Sequence, residues 1–249
     1  MTAFDDLLAE AEAQPTEGWD FSWFNGRATE ERPSWGYARL ISERMAIASA
    51  ALDIQTGGGE VLAGIKPRPS RLVATESWLP NVEVARRNLK ALGASVVAVG
   101  DDALPFASDS FDLVVSRHPV TTPWEEIARV LVKGGTFLSQ QVGAGSNREL
   151  TEFFMGPQPI GEGRKPERHI AGAEAAGLRV DDLRDESLLV EFLDVGAVAY
   201  FLRKVLWTVP GFSIEAYRDR LKQMHEQIER DGRFISHSRR FLIQSSKTA

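Results

Sequence analysis

Cysteine is absent from the 249 residues. That excludes a disulfide scaffold, a thiolate metal site and a cysteine nucleophile. Long apolar runs are also missing. No stretch approaches the roughly 18 uninterrupted apolar residues of a membrane-spanning helix, and the opening MTAFDDLLAE carries acids where a secretory signal needs a basic end. A soluble, cytoplasmic protein is the expectation. Histidine is scarce, four in all, and no two stand at metal-ligand spacing, so no bound metal is expected. Excess positive charge is lacking: 29 Lys and Arg against 35 Asp and Glu leave a net charge of −6. This argues against a nucleic-acid partner, whose phosphates call for a basic face. The sign is uneven, however, with 10 basic and 5 acidic residues in 201–249.

What is present is a composition able to bury a core: 43% hydrophobic residues together with 21 glycines. No internal repeat or low-complexity tract interrupts it. Short runs rich in Val, Leu and Ile recur at Ala51–Gln55, Leu72–Glu76, Ser95–Gly100, Phe111–Arg117 and Thr136–Val142. Between them lie segments with helical spacing at Glu60–Ile65, Val82–Leu92 and Trp124–Val132. This alternation predicts parallel strands joined by crossover helices, an α/β sheet covered on both faces. Further on, Ser146–Met155 and His169–Ala176 read as helices around a Gly/Pro-rich loop, and Leu178–Phe192 as one long strand or two short ones. Val195–Trp207 and Ile214–Asp231 read as helices, and Arg233–Gln244 as a strand able to join the sheet antiparallel. About seven strands are expected, the last one reversed. The first 45 residues, with Trp19, Trp23, Phe24, Trp35 and Tyr37, are too aromatic for a disordered tail.

The chemistry-bearing segment follows the first strand of this pattern: Asp53, Ile54, Gln55, Thr56, Gly57, Gly58, Gly59, Glu60. Glycines in a strand-to-helix turn let backbone approach a ligand closely, and the helix start offers free N–H groups. In open α/β sheets the ligand lies over the carboxyl ends of the strands near this turn. A nucleotide-like ligand is expected. A dinucleotide fingerprint needs glycine at position 62, where Leu62 stands, and the GKS or GKT of a Walker loop is absent.

These residues resemble the class I S-adenosylmethionine-dependent methyltransferases, whose first motif is an acid closing strand one followed by GxGxG. The likeness extends over roughly residues 50–145. Glu76 closes the second strand where that family's acid takes the ribose hydroxyls, and Gly100–Phe106 is similar to the turn whose Asp accepts from the adenine amino group. SFDLVV at Ser110–Val115 and IARVLVKGGTFL at Ile127–Leu138 match the fourth strand and the approach to the fifth. The resemblance implies a Rossmann-like, seven-stranded, mostly parallel sheet and S-adenosylmethionine as cofactor. It places Asp53, Gln55, Thr56, Gly57, Gly59, Glu76 and one of Asp101 and Asp102 at that cofactor. Gln55 departs from the family, which has its first glycine there; either the turn is displaced or the amide touches the ligand. The chemistry agrees, since a ribose diol suits a bidentate carboxylate and an adenine amino group suits an acceptor.

His118, directly after the fourth strand, stands at the rim where a transferred methyl would lie, and an ordinary pKa near 6.5 suits a general base. The alternative is a histidine packed under a lid or bonded to a backbone carbonyl. His169, His225 and His237 read as structural or surface residues. In the resembled family the acceptor pocket is built outside the central sheet, which marks Trp19, Trp23, Trp35, Tyr200 and Trp207 as acceptor-lining. The expectation is a single methyltransferase domain over 1–249: an N-terminal lid (1–45), a cofactor-binding core (46–145), and a remainder bearing a helical cap (194–232). It would transfer a methyl group to a small organic acceptor by in-line displacement. Methylation of an RNA base, or a non-catalytic cofactor-binding regulator, are the alternatives.

Overall fold

The computed structural model describes residues 4–16 and 20–248. The chain divides into two compact units. Unit 1 holds 1–32, 145–161 and 187–239; unit 2 holds 33–144, 162–186 and 240–249. The segment read as a lid is thus divided at residue 32.

Unit 2 carries the α/β alternation. Its elements are α2 (Tyr37–Met45), β2 (Ala50–Asp53), α3 (Glu60–Ala63), β3 (Arg71–Glu76), α4 (Leu79–Leu89) and β4 (Ser95–Ala98), then β5 (Phe111–Arg117), α5 (Trp124–Val130), β6 (Leu131–Val142) and α7 (Pro166–Ala175). Two long strands, β7 (Leu178–Phe192) and β8 (Phe234–Lys247), run through both units. The strand order is β7-β8-β6-β5-β2-β3-β4. Strands β2, β3, β4, β5 and β6 are parallel, and β8 runs antiparallel to β6, Gln140 facing Leu242. Because β2 lies between β3 and β5, successive crossovers leave it in opposite directions, and a crevice opens at the carboxyl ends of β2 and β5.

Strand alternation sends the two side-chain sets to different cores. Ala51, Leu72, Leu113, Val115, Leu138 and Leu242 pack with Trp35, Tyr37, Ile41 and Met45 of the α2 segment. Leu52, Ile54, Val114, Phe137, Phe241 and Ile243 face Trp124 and Ile127 of α5. In α4, Val82, Ala85 and Leu89 are buried at the spacing of one helix face. Strand β6 begins five residues before the predicted Thr136, because the register slips between Phe111 and Leu113 and the Gly134–Gly135 pair takes up the irregularity. Gly134 has φ +76°, and a Cβ on Gly135 would stand 2.9 Å from the Val132 carbonyl.

Unit 1 contains α1 (Phe4–Glu12), β1 (Ala28–Glu30), α6 (Arg148–Met155), α8 (Val195–Lys204) and α9 (Arg218–Asp231). β1 is the eighth strand; three residues are too short to show an alternating pattern, and it pairs antiparallel with β7, Ala28 facing Phe192. Helices α8 and α9 are the two expected over 194–232. The α8 start is capped by the Asp194 carboxylate, which accepts from the Ala197 N–H at 2.9 Å. Such a cap contributes about 1 kcal/mol. Gly196 lets α8 close on α1: a Cβ there would lie 2.7 Å from the Leu7 carbonyl oxygen.

Candidate functional site

The turn after β2 is held from two sides. Asp53, buried at the strand end, accepts from the Thr56 hydroxyl at 2.6 Å. Burial pushes the Asp53 carboxyl up to about 7; the Thr56 hydroxyl opposes this and the nearby Glu76 charge adds to it. The Thr56 N–H donates to the Thr75 carbonyl at 2.9 Å, which ties the turn to β3. Gly57 and Gly59 both have positive φ, and a Cβ on Gly59 would meet Leu89 Cγ at 2.9 Å. Glycine is therefore required for both the turn's hand and its approach to α4.

Gln55 also has positive φ, +55°, a conformation that costs a side-chain-bearing residue roughly 1–2 kcal/mol. Its amide spans to the segment following β5: Oε1 accepts from the Val120 N–H at 2.6 Å and Nε2 donates to the Thr121 carbonyl at 2.8 Å. The glycine-to-glutamine departure is thus a tie between two loops.

Glu76 closes β3 with both carboxylate oxygens fixed by backbone. Oε2 accepts from the Gly57 N–H at 2.8 Å; Oε1 accepts from Trp78 and Ser77 N–H groups at 2.9 and 3.1 Å. Burial pushes its pKa up, the three N–H groups pull against that, and the charge of Asp101 adds a further upward push. Oε1 is filled by its two N–H donors, and Oε2 keeps one acceptor site, so a rigid carboxylate oxygen is offered to a ligand donor. Glu76 lines a shallow cleft together with Gln55, Ser77, Gly100, Asp101 and Leu104. Of the two consecutive acids, Asp101 lines this cleft, and Asp102 is exposed outside it.

His118, with φ +55°, turns the chain out of β5. Its N–H donates to the Gln140 carbonyl at 2.7 Å, and its ring Nε2 lies 2.9 Å from Gln140 Nε2. The Gln140 Oε1 accepts from the buried Trp35 indole N–H at 2.9 Å. Burial, then the charges of Arg117, Arg240 and Arg164, hold the His118 pKa well below its ordinary value. Beside it, the buried Tyr37 hydroxyl donates to the Ser116 carbonyl at 2.5 Å. Burial and the Asp53 charge push its pKa well up, so it is a neutral phenol at any ordinary pH.

The expected residues therefore fall into groups. Gln55, Glu76 and Asp101 share one cleft, with Asp53, Thr56, Gly57 and Gly59 shaping its turn. Trp35 reaches His118 through Gln140. Trp23 and Tyr200 lie in unit 1, rings 5.1 Å apart, with the Arg27 guanidinium 4.0 Å over Trp23. Tyr200 is buried and its hydroxyl donates to the Pro15 carbonyl. Trp207 is 44% exposed, and Trp19 lies outside the described residues. Sequence reasoning missed Gln140, whose only signal is an amide within the apolar run of β6. Among the described residues no group of His, Asp and Glu side chains gathers as a metal site, and no helix is long and apolar enough to cross a membrane.

Comparison with known proteins bears on this arrangement. Residues 52–139 match a family model described as a methyltransferase domain. A putative methyltransferase from Bacillus halodurans is similar at 20% identity and TM-score 0.61, over 87% of this chain and 100% of that one. The YcgJ protein of Bacillus subtilis is similar at 20% identity and TM-score 0.62, over 86% and 98%. The geranyl diphosphate C-methyltransferase of Streptomyces coelicolor, solved with S-adenosylhomocysteine, is similar at 11% identity and TM-score 0.54, over 85% and 77%. No curated protein matches. The glycine turn, the carboxylate fixed at the second strand end and the match to a methyltransferase-domain model fall on the same stretch, 52–139, and the solved structures share the fold.

Proposed function

We propose that the chain is a class I methyltransferase that uses S-adenosylmethionine to methylate a small organic acceptor, and that this cofactor is held by the residues around the Glu76 cleft. Bound S-adenosylmethionine supplies a methyl group already activated on a sulfonium, so the protein's task is to position the acceptor and exclude water. Glu76 takes the ribose hydroxyls through the acceptor site left on Oε2. Asp101 takes the adenine amino group. Gly57 and Gly59 admit the ligand close to backbone, while Asp53 and Thr56 keep the turn in shape. His118 belongs to the acceptor side, with the buried Trp35 acting behind it through Gln140, and the net charge of −6 favours a small acceptor over an RNA.

The observation that carries this reading is the Glu76 carboxylate, buried, bonded to the Gly57 N–H and aimed into the same cleft as Asp101. Replacing Glu76 by Gln puts an amide N–H₂ where a backbone N–H must be accepted and removes the charge offered to the diol. The expected loss of S-adenosylhomocysteine affinity is about 1.5–3 kcal/mol, the range for a hydrogen bond to a charged group. Titration calorimetry checks it, and an unchanged affinity removes Glu76 from the cofactor site.

A further inference from the structure

The acceptor's chemistry can be read from the surroundings of His118, given the methyl-transfer reading above. An indole N–H only donates, so Trp35 fixes which end of the Gln140 amide is oxygen. The other end, an N–H₂ group that cannot accept, therefore faces His118 Nε2. That ring nitrogen must supply the lone pair, which leaves the proton of a neutral imidazole on Nδ1. Two neighbours thus choose the tautomer. A proton added at Nε2 would set N–H against N–H₂, so the lone pair a general base would use is already engaged. No described residue hydrogen-bonds Nδ1.

Around this donor the strands bring up positive charge. Arg117 of β5 pairs with Gln140 of β6, and Arg240 of β8 pairs with Val142 of β6. Paired residues share a sheet face, as do residues two apart on one strand. Arg117, Gln140 and Arg240 therefore continue the face that begins with Val115, Leu138 and Leu242, the face covered by the Trp35 segment. Arg164 joins from the following loop, where its carbonyl accepts from the Ala144 N–H at 3.1 Å. Among the described residues, the charges that lower the His118 pKa are these three guanidinium groups. The exposed Arg117 guanidinium makes no hydrogen bond or ion pair with a described residue. A histidine meant to take a proton is served by a neighbouring carboxylate; this one has the opposite surroundings.

We propose that the methyl acceptor carries an anionic oxygen group, carboxylate or phosphate, which His118 binds as a neutral Nδ1–H donor beside the Arg117 guanidinium, with Arg164 and Arg240 completing the positive field. The assignment makes His118 an acceptor-binding group.

Calorimetry on the full chain with saturating S-adenosylhomocysteine tests it, using benzoate, phenyl phosphate and the neutral benzamide as probes. At least one anion should bind tenfold or more tightly than benzamide, and more weakly as salt is raised. Arg117→Gln should weaken that anion at least tenfold while leaving benzamide and S-adenosylhomocysteine binding unchanged, and Arg117→Lys should restore part of the loss. A purely structural Arg117 would move both probes together. Absence of saturable anion binding, benzamide binding as tightly as the anions, or indifference to Arg117→Gln would overturn the proposal while the cofactor reading stands. Failure of the wild type to bind S-adenosylhomocysteine would overturn the cofactor reading and this one with it.

Discussion

Asp53 and His118, two groups at one end of the sheet, are displaced in opposite senses. Asp53 is raised to about 7 by burial and by repulsion from Glu76. Between about pH 4 and 7 the folded chain keeps a proton that the unfolded chain releases, so acidification through that window adds stability. His118 is lowered by burial and by three arginines. Below its unfolded value near 6.5 the unfolded chain binds a proton that the folded chain refuses, so acidification there removes stability. Asp53→Asn deletes the first effect and keeps the second. Relative to wild type, that variant should lose about 2 kcal/mol more stability between pH 7 and 5. Urea denaturation at the two pH values checks it, and parallel pH dependences would mean Asp53 is ionised in the folded chain. The presence of an acid at position 53 was legible from its place before the glycines. Its protonation was not, since that depends on how completely β3 and β5 cover it.

The loop ties give a prediction for whole elements. Gln55 keeps a backbone conformation that glycine adopts more readily, and its amide fastens the loop after β5 through Val120 and Thr121. Gln55→Gly relieves the backbone by roughly 1–2 kcal/mol and loses two hydrogen bonds of about 0.5–1.5 kcal/mol each. Global stability should change by no more than about 2 kcal/mol because these terms offset. The Val120 amide should nevertheless exchange with solvent at least about tenfold faster, as expected when a local opening becomes easier. Hydrogen exchange resolved at that residue is the measurement, and unaltered protection would show the loop is held by other contacts. The departure from the glycine pattern stands out in the sequence; its partners, 65 and 66 residues away, do not. Strand β1 escaped notice for a related reason, because its three residues are defined by pairing with β7 and carry no periodic signature.

For the molecule as a whole, a ligand that binds only the folded chain stabilises it by mass action. S-adenosylhomocysteine at 100 times its dissociation constant should add about 2.7 kcal/mol, which raises the melting temperature by roughly 5–10 °C for a chain of this size. Scanning fluorimetry reads the shift. Exchange protection on binding should concentrate in Asp53–Gly59, Glu76–Trp78 and Gly100–Leu104, all within unit 2. No shift at saturating ligand, or protection confined to unit 1, would contradict the cofactor site. Alternation of strand and helix, the glycines after β2 and the acids closing β2 and β3 are written locally: hydrophobic period, steric freedom and charge act over a few residues, so the fold class and the residues proposed for the cofactor can be read along the chain. The tautomer of His118, the gathering of Arg117, Arg164 and Arg240, and the use of Gln55 belong to tertiary structure. Each depends on groups as far apart as Trp35 and Gln140, 105 positions in sequence and 2.9 Å in space, which meet only when strand register and burial bring them to one end of one sheet.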